Sequence, residues 1–185
     1  MTSRVEQIAR ARRLIQAGIP APGGTWADLG CGDGIFTSAL YEIVGENAQI
    51  HAVDRERYAL QRLERNLRAA YPPIQLITHA VDFTSGLELI QLDGILMANS
   101  LHFVRQKALA LRGLADALKP GGRLIVVEYN TNRGNQWVPH PLDEDAFLEL
   151  AQQAGYQEAR ILHKEPISYM GEFYAGMACK LQIAD

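Results

Sequence analysis

The residues of this chain that can do chemistry stand at the ends of its apolar runs. Asp28 precedes glycines at positions 30, 32 and 34. Alternating glycines let the backbone turn sharply, and they let a ligand lie against the main chain with no Cβ in the way. Residues 35–44 then repeat apolar side chains at helical spacing, so a helix start adds unpaired N–H groups and partial positive charge. Such a place suits a small molecule with a polar end. Asp54 closes the next apolar run; a carboxylate there can accept from both hydroxyls of a ribose, or cap the helix that follows. Asp82 and Phe83 close a third run, where the acid can also be a turn residue. Asn99 and His102 follow a fourth, and an imidazole there could take a proton from a reacting group. His102 could equally cap a helix beginning at Val104 or stand as a neutral pocket wall. Tyr129 and His140 are further candidates for proton transfer. His51, His79 and His163 are dispersed over expected strands and read as structural.

Those positions need elements to hold them. Ser3-Arg4-Val5-Glu6 has the form of a capping box, so a first helix should run to about residue 16. Its arginines read as a solvated face or as part of a helix lying over the ligand. Strands are expected over 26–29, 48–53, 74–81, 92–98 and 124–128, with helices over 35–44, 56–71, 104–118 and 142–154. Ser85-Gly86-Leu87-Glu88 again has a capping-box form. Strand–helix alternation from residue 26 onward predicts a parallel sheet with helices on both faces. Residues 156–164 and 172–182 alternate like two strands joined closely, and therefore antiparallel. Between 130 and 141 runs a polar loop carrying Trp137 and His140, on the side where strands of such a sheet end. Part of a substrate pocket is expected there, with a solvent-exposed connection as the alternative.

Composition sets bounds. With 185 residues and 21% charged side chains, the chain is long enough for one globular α/β domain. The net charge of −3 gives no general attraction to nucleic acid or an anionic membrane. Cys31 and Cys179 form neither a disulfide framework nor a metal-binding pair, and no cluster suggests a metal site. No apolar run approaches membrane-spanning length, and the expectation is a cytoplasmic protein.

The series Asp28, Gly30, Gly32, Gly34 resembles motif I of the class I S-adenosylmethionine-dependent methyltransferases. It departs from the G-x-G-x-x-G/A dinucleotide fingerprint, because Ile35 fills the third small position. Asn99-Ser100-Leu101-His102-Phe103 resembles motif IV of that family's small-molecule branch, and Leu118-Lys119-Pro120-Gly121-Gly122-Arg123-Leu124 resembles its turn before strand five. The resemblance spans about residues 25–182. It implies a Rossmann-like, doubly wound, mostly parallel seven-stranded sheet with helices on both faces and an antiparallel last strand. It implies an N-terminal helix over 1–24 covering the cofactor site, and a methyltransferase domain over 25–185. It implies S-adenosyl-L-methionine as cofactor and methyl transfer by in-line displacement to a small-molecule acceptor.

Site roles follow from the same resemblance. Asp28 would fix the turn and meet the methionine amino group through water. Gly30, Cys31 and Gly32 would line the methionine moiety, and Gly34 would allow close helix packing. Asp54 would take the ribose hydroxyls, Arg55 would pack beside adenine, and Asp82 and Phe83 would flank it. The Asn99 backbone would face the amino end. His102 is the candidate base, and His102, Tyr129, Trp137 and His140 are candidate substrate contacts. Specificity would sit in the first helix, 99–103, 130–141 and the turn 166–171. Two other roles stay open: a cofactor-binding partner subunit without its own activity, and a methyltransferase acting on a macromolecule. Nicotinamide chemistry is disfavoured by Ile35 and by the antiparallel finish.

Overall fold

The computed structural model describes residues 3–85, 88–167 and 171–182. Helix α1 (Arg4–Ile15) starts at the expected capping box. Ser3 Oγ accepts from the Glu6 amide at 3.2 Å, and the Ser3 amide donates to Glu6 Oε2 at 2.7 Å. There follow β1 (Gly24–Leu29), α2 (Ile35–Val44), β2 (Ala48–Val53), α3 (Arg57–Ala70) and β3 (Gln75–His79). The second half holds β4 (Leu92–Ala98), α4 (Lys107–Ala117), β5 (Leu118–Tyr129), α5 (Glu144–Gln153), β6 (Tyr156–Ile167) and β7 (Gly171–Lys180).

The strands make one seven-stranded sheet in the order β3-β2-β1-β4-β5-β7-β6. Strands β1 to β5 run parallel, and β7 lies antiparallel to both β5 and β6. This is the expected fold. Alternation along the strands divides the core between the two faces. Trp26, Ile50 and Ala52 pack with α1, α2 and α3, while Ala27, Leu29, Ile95 and Met97 pack with α4 and α5. Strand order reverses between β1 and β4, so a crevice opens at their carboxyl ends.

Some boundaries differ from expectation, for local reasons. The helix expected from Val104 is a 3₁₀ turn over Leu101–Phe103, an extended Val104, and only then α4. The Glu128 carboxylate takes the His102 amide at 3.0 Å, which holds the chain in the tight turn. Strand β5 begins at Leu118 because Leu118 already pairs with Leu92; the register then slips across the glycine turn to Arg123 opposite Gly94. The histidines of β2 and β3 are not dispersed. Val53 pairs with His79, so His51 and His79 share one face, and their ring nitrogens lie 2.9 Å apart. The Ser85–Glu88 capping box and the turn 166–171 include residues outside those described.

Candidate functional site

The glycine turn after β1 is pinned to β2. The amides of Gly30 and Cys31 both donate to the Val53 carbonyl, at 2.8 and 3.1 Å. Gly30 has φ +76°, and a Cβ on it would come 2.5 Å from Ser100 Cβ. Ser100 cannot retreat, because its hydroxyl donates to the Leu29 carbonyl at 2.7 Å. Gly34 caps α2 at φ +87°, where a Cβ would meet Leu63 Cγ at 2.8 Å. That glycine lets α2 and α3 close on each other. Around a Cβ at Gly32 there is open space.

Two acids serve this turn in different ways. Asp54, at the end of β2, accepts from the Gly32 amide on Oδ2 at 2.8 Å and from the Glu56 amide on Oδ1 at 2.9 Å. The same residue therefore holds the glycine turn and, through an Asx turn, the backbone that leads into α3. Each of its oxygens keeps a lone pair for another donor. The expectation had Asp28 fixing the turn; instead Asp28 Oδ2 accepts from the Thr37 hydroxyl of α2 at 2.6 Å. Asp28 is 1% exposed, and its Oδ1 has no partner. Burial pushes its carboxyl up to about 7; the Thr37 bond opposes this and the Asp54 charge adds to it. Burial, with the charges of Asp28 and Asp54, also pushes the Cys31 thiol up. Cys31 is therefore a packing residue rather than a nucleophile.

A cavity of about 840 Å³ opens beside the turn, and its walls include Gly30, Asp54, Arg55, Asp82, Phe83 and Asn99. Six of the expected contacts thus come together from four loops. Asp82 Oδ1 accepts from the Thr84 amide at 2.8 Å and its hydroxyl at 2.7 Å, bonds that hold the carboxyl below the usual range. Asn99 adopts φ +52°, and its amide donates to Val127 at 2.8 Å. Its Oδ1 is buried without a partner.

The remaining candidates form a second group at the ends of β4 and β5. His102 Nδ1 lies 2.6 Å from Glu128 Oε2, and the imidazole is 2% exposed. Its ring centre lies 6.2 Å from that of Tyr129, which packs on Phe173 at 4.7 Å. The His140 amide donates to the His102 carbonyl at 3.0 Å, so the loop 130–141 crosses this group. Trp137 is 73% exposed, whereas its neighbour Val138 is buried. None of His102, Tyr129, Trp137 or His140 is among the residues lining the large cavity. Glu128, the last residue of the expected strand 124–128, has one functional signal in the sequence: it is a lone acid closing the apolar run Leu124–Val127. From α1, Arg4 donates to the Asp33 carbonyl at 2.9 Å, which brings the helix to the glycine turn. Among the described residues no group of three or more His, Cys, Asp or Glu side chains is placed to hold a metal ion. Nor is any described helix long and apolar enough to cross a membrane.

A sequence model of the methyltransferase domain family matches residues 27–124. The chain belongs to the class I S-adenosylmethionine-dependent methyltransferases. It is 30% identical to the cypemycin N-terminal methyltransferase of a Streptomyces species, over 77% of this chain and 60% of that one. It is also 30% identical to a ubiquinone/menaquinone biosynthesis C-methyltransferase of Shewanella frigidimarina, over 65% of this chain and 48% of that one. The chain therefore spans between about half and three-fifths of these relatives. A solved S-adenosylmethionine-dependent methyltransferase from Aquifex aeolicus matches 98% of this chain and 100% of its own length, with a TM-score of 0.69. At 16% identity that likeness is one of fold. S-adenosylmethionine is the cofactor of the class.

Proposed function

We propose that this chain binds S-adenosylmethionine between the glycine turn and Phe83 and transfers its methyl group to a small-molecule acceptor. The observation that carries the reading is Asp54: it bonds the glycine turn through Gly32 and borders the cavity with lone pairs still available. When bound, the cofactor supplies an electrophilic methyl group on a cationic sulfur that leaves neutral. The residues present fit such a group. Open space at Gly32 admits a ligand against the backbone. The unpartnered Oδ1 of Asp28 suits an ammonium group, reached through water. Asp54 accepts from ribose hydroxyls. Phe83 and Arg55 offer faces to a purine, and the free oxygen of Asp82 accepts from its amino group. The Asn99 backbone borders the amino end. Gly30, Cys31 and Gly34 keep the turn in shape, and Arg4 draws α1 over its outer side.

What the protein must then do is hold the acceptor's nucleophile about 3–3.5 Å from the methyl carbon and in line with the bond that breaks. His102, Tyr129, Trp137 and His140 are the side chains we assign to the acceptor side, with His102 as base. A soluble protein in the cytoplasm acting on a small molecule accords with a net charge of −3. Parallel calorimetric titrations with S-adenosylmethionine, S-adenosylhomocysteine and NAD test the reading. Micromolar binding of the two sulfur nucleotides, with none of NAD, is the expected result. Binding of NAD alone, or of none, would overturn it.

A further inference from the structure

His102 and Glu128 form a pair that cofactor binding does not require. Glu128 points from β5 into the core layer shared with α4 and α5, and it is 1% exposed. Neighbouring positions on that face are apolar: Leu124 and Val126 belong to the same core. A carboxylate in such a place is costly unless its oxygens are satisfied. Both are satisfied by one residue. Oε1 accepts the His102 amide at 3.0 Å and Oε2 faces His102 Nδ1 at 2.6 Å. The backbone N–H can only donate, so at Oε1 Glu128 is an acceptor. A contact of 2.6 Å between Oε2 and Nδ1 is a hydrogen bond and needs one proton between the two atoms. Nδ1 then carries the proton toward Oε2, and Nε2 is left bare. Among the described residues Nε2 has no hydrogen-bond partner, and it is not one of the polar atoms sealed from solvent without one. The ring is held on three sides, by Phe103 at 4.3 Å between ring centres, by Tyr129, and by the Glu128 bond. His102 does not itself line the large cavity, but Phe103 next to it and Ser100 two residues before it both do.

We infer that Glu128 is a positioning residue, which fixes His102 as its Nδ1–H tautomer so that Nε2 acts as general base toward an acceptor whose reacting atom carries a proton. The inference rests on the methyl-transfer reading and narrows its acceptor to a hydroxyl, an ammonium or an activated C–H. As the acceptor's electron pair forms the new bond to the methyl carbon, the carbon–sulfur pair stays on sulfur. His102 Nε2 takes the acceptor's proton, and the imidazolium so formed faces the Glu128 carboxylate at Nδ1. Besides Tyr129, the titratable groups facing the pair are Lys107 at the start of α4 and Tyr174 on β7. Burial pushes the Lys107 ammonium down, against a smaller pull from Glu128. Burial pushes the Tyr174 phenol up, and its hydroxyl donates to the Leu142 carbonyl rather than to Glu128.

The test reads the proton itself and needs no acceptor. The full chain, labelled with ¹⁵N, is followed by long-range ¹H–¹⁵N correlation of its histidine rings between pH 6 and 9. The His102 signal is assigned by removing the other four histidines one at a time. The expected spectrum is a neutral ring at pH 8, protonated on Nδ1 and bare on Nε2. In Glu128→Gln the amide NH₂ would face Nδ1 and donate to it, so the proton should move to Nε2. An imidazolium that persists to pH 9 would make the pair a structural ion pair and overturn the inference, as would an Nε2–H tautomer in the wild type. If Glu128→Gln does not fold, the wild-type spectrum decides alone. S-adenosylhomocysteine added to the same sample separates the two claims. Binding with a charged His102 would sink the base and leave the cofactor reading; a bare Nε2 without binding would do the reverse.

Discussion

Replacing Asp28 by asparagine should change how stability depends on pH. The carboxyl group is 1% exposed and only one of its oxygens has a partner. Burial is the largest of the influences that push it up to about 7 in the folded protein. In an unfolded chain the same group ionises near pH 4. Between those values the folded state holds a proton that the unfolded state has lost, so this group makes stability fall as pH rises from about 4 to 7. Asparagine cannot ionise and keeps an acceptor for Thr37. About two pH units of that range lie above pH 5, each worth about 1.4 kcal/mol. Asp28→Asn should therefore gain about 3 kcal/mol on the wild type between about pH 5 and pH 8. Urea unfolding of both proteins at both pH values, followed by fluorescence of the buried Trp26, reads the difference directly. A gap that stays constant within about 0.5 kcal/mol would refute the burial argument. Cofactor affinity should move the other way, because the oxygen that suits an ammonium group is lost. Stability and binding would thus make opposite demands on one residue.

Other predictions concern the turn and the loop. Asp54→Ala strips the Gly32 and Glu56 amides of their acceptor. It should remove about 1–3 kcal/mol of stability without any ligand, and weaken S-adenosylhomocysteine binding about tenfold to a hundredfold by calorimetry. Unchanged stability would mean that the turn does not depend on this carboxylate. Gly34→Ala combines a left-handed backbone with a contact of 2.8 Å to Leu63. It should cost about 2–4 kcal/mol and lower the melting temperature by roughly 5–15 °C in a calorimetric scan. Trp137→Ala should leave stability within about 0.5 kcal/mol in urea unfolding, because the exposed ring packs on little. A larger loss would show that Trp137 anchors the loop.

What the sequence carried, and what it hid, divides by range. Residues 26–44 were legible because strand, glycine turn and helix follow one another directly in the chain, and each has a local rule. Asp54, Asp82 and Asn99 were legible as ends of apolar runs, since parallel strands finish on one side of the sheet. Their partners were not. The sequence gives no sign that Asp54 rather than Asp28 takes the Gly32 amide, because that depends on a contact across 22 residues. Glu128 was invisible for the same reason: its partner lies 26 residues back, and in sequence it reads as the last residue of a strand. His51 and His79 looked scattered, and only the register of two parallel strands joins them. The helix expected over 104–118 is present but starts at Lys107, because a long-range bond from Glu128 holds the chain before it in a 3₁₀ turn.

The buried carboxylate and imidazole side chains among the described residues are Asp28, His102 and Glu128. Packing does not explain them. Each lies in an apolar layer where a hydrophobic residue of similar volume would cost less. Two lie near the carboxyl ends of β1 and β5, the strands that flank β4, and His102 lies just beyond β4 itself. The strained, left-handed Asn99 stands at the end of β4, with another unpartnered oxygen. Backbone strain and buried ionisable groups of this kind persist where the surrounding fold over-determines them, and they gather where a ligand later satisfies them. The clustering is therefore evidence for a site that does not depend on resemblance to any other protein. It also predicts an order of tolerance. Substitutions in the core beneath Ile50 or Ile95 should cost stability alone, whereas those at Asp28, Asn99 and Glu128 should trade stability against binding or proton transfer.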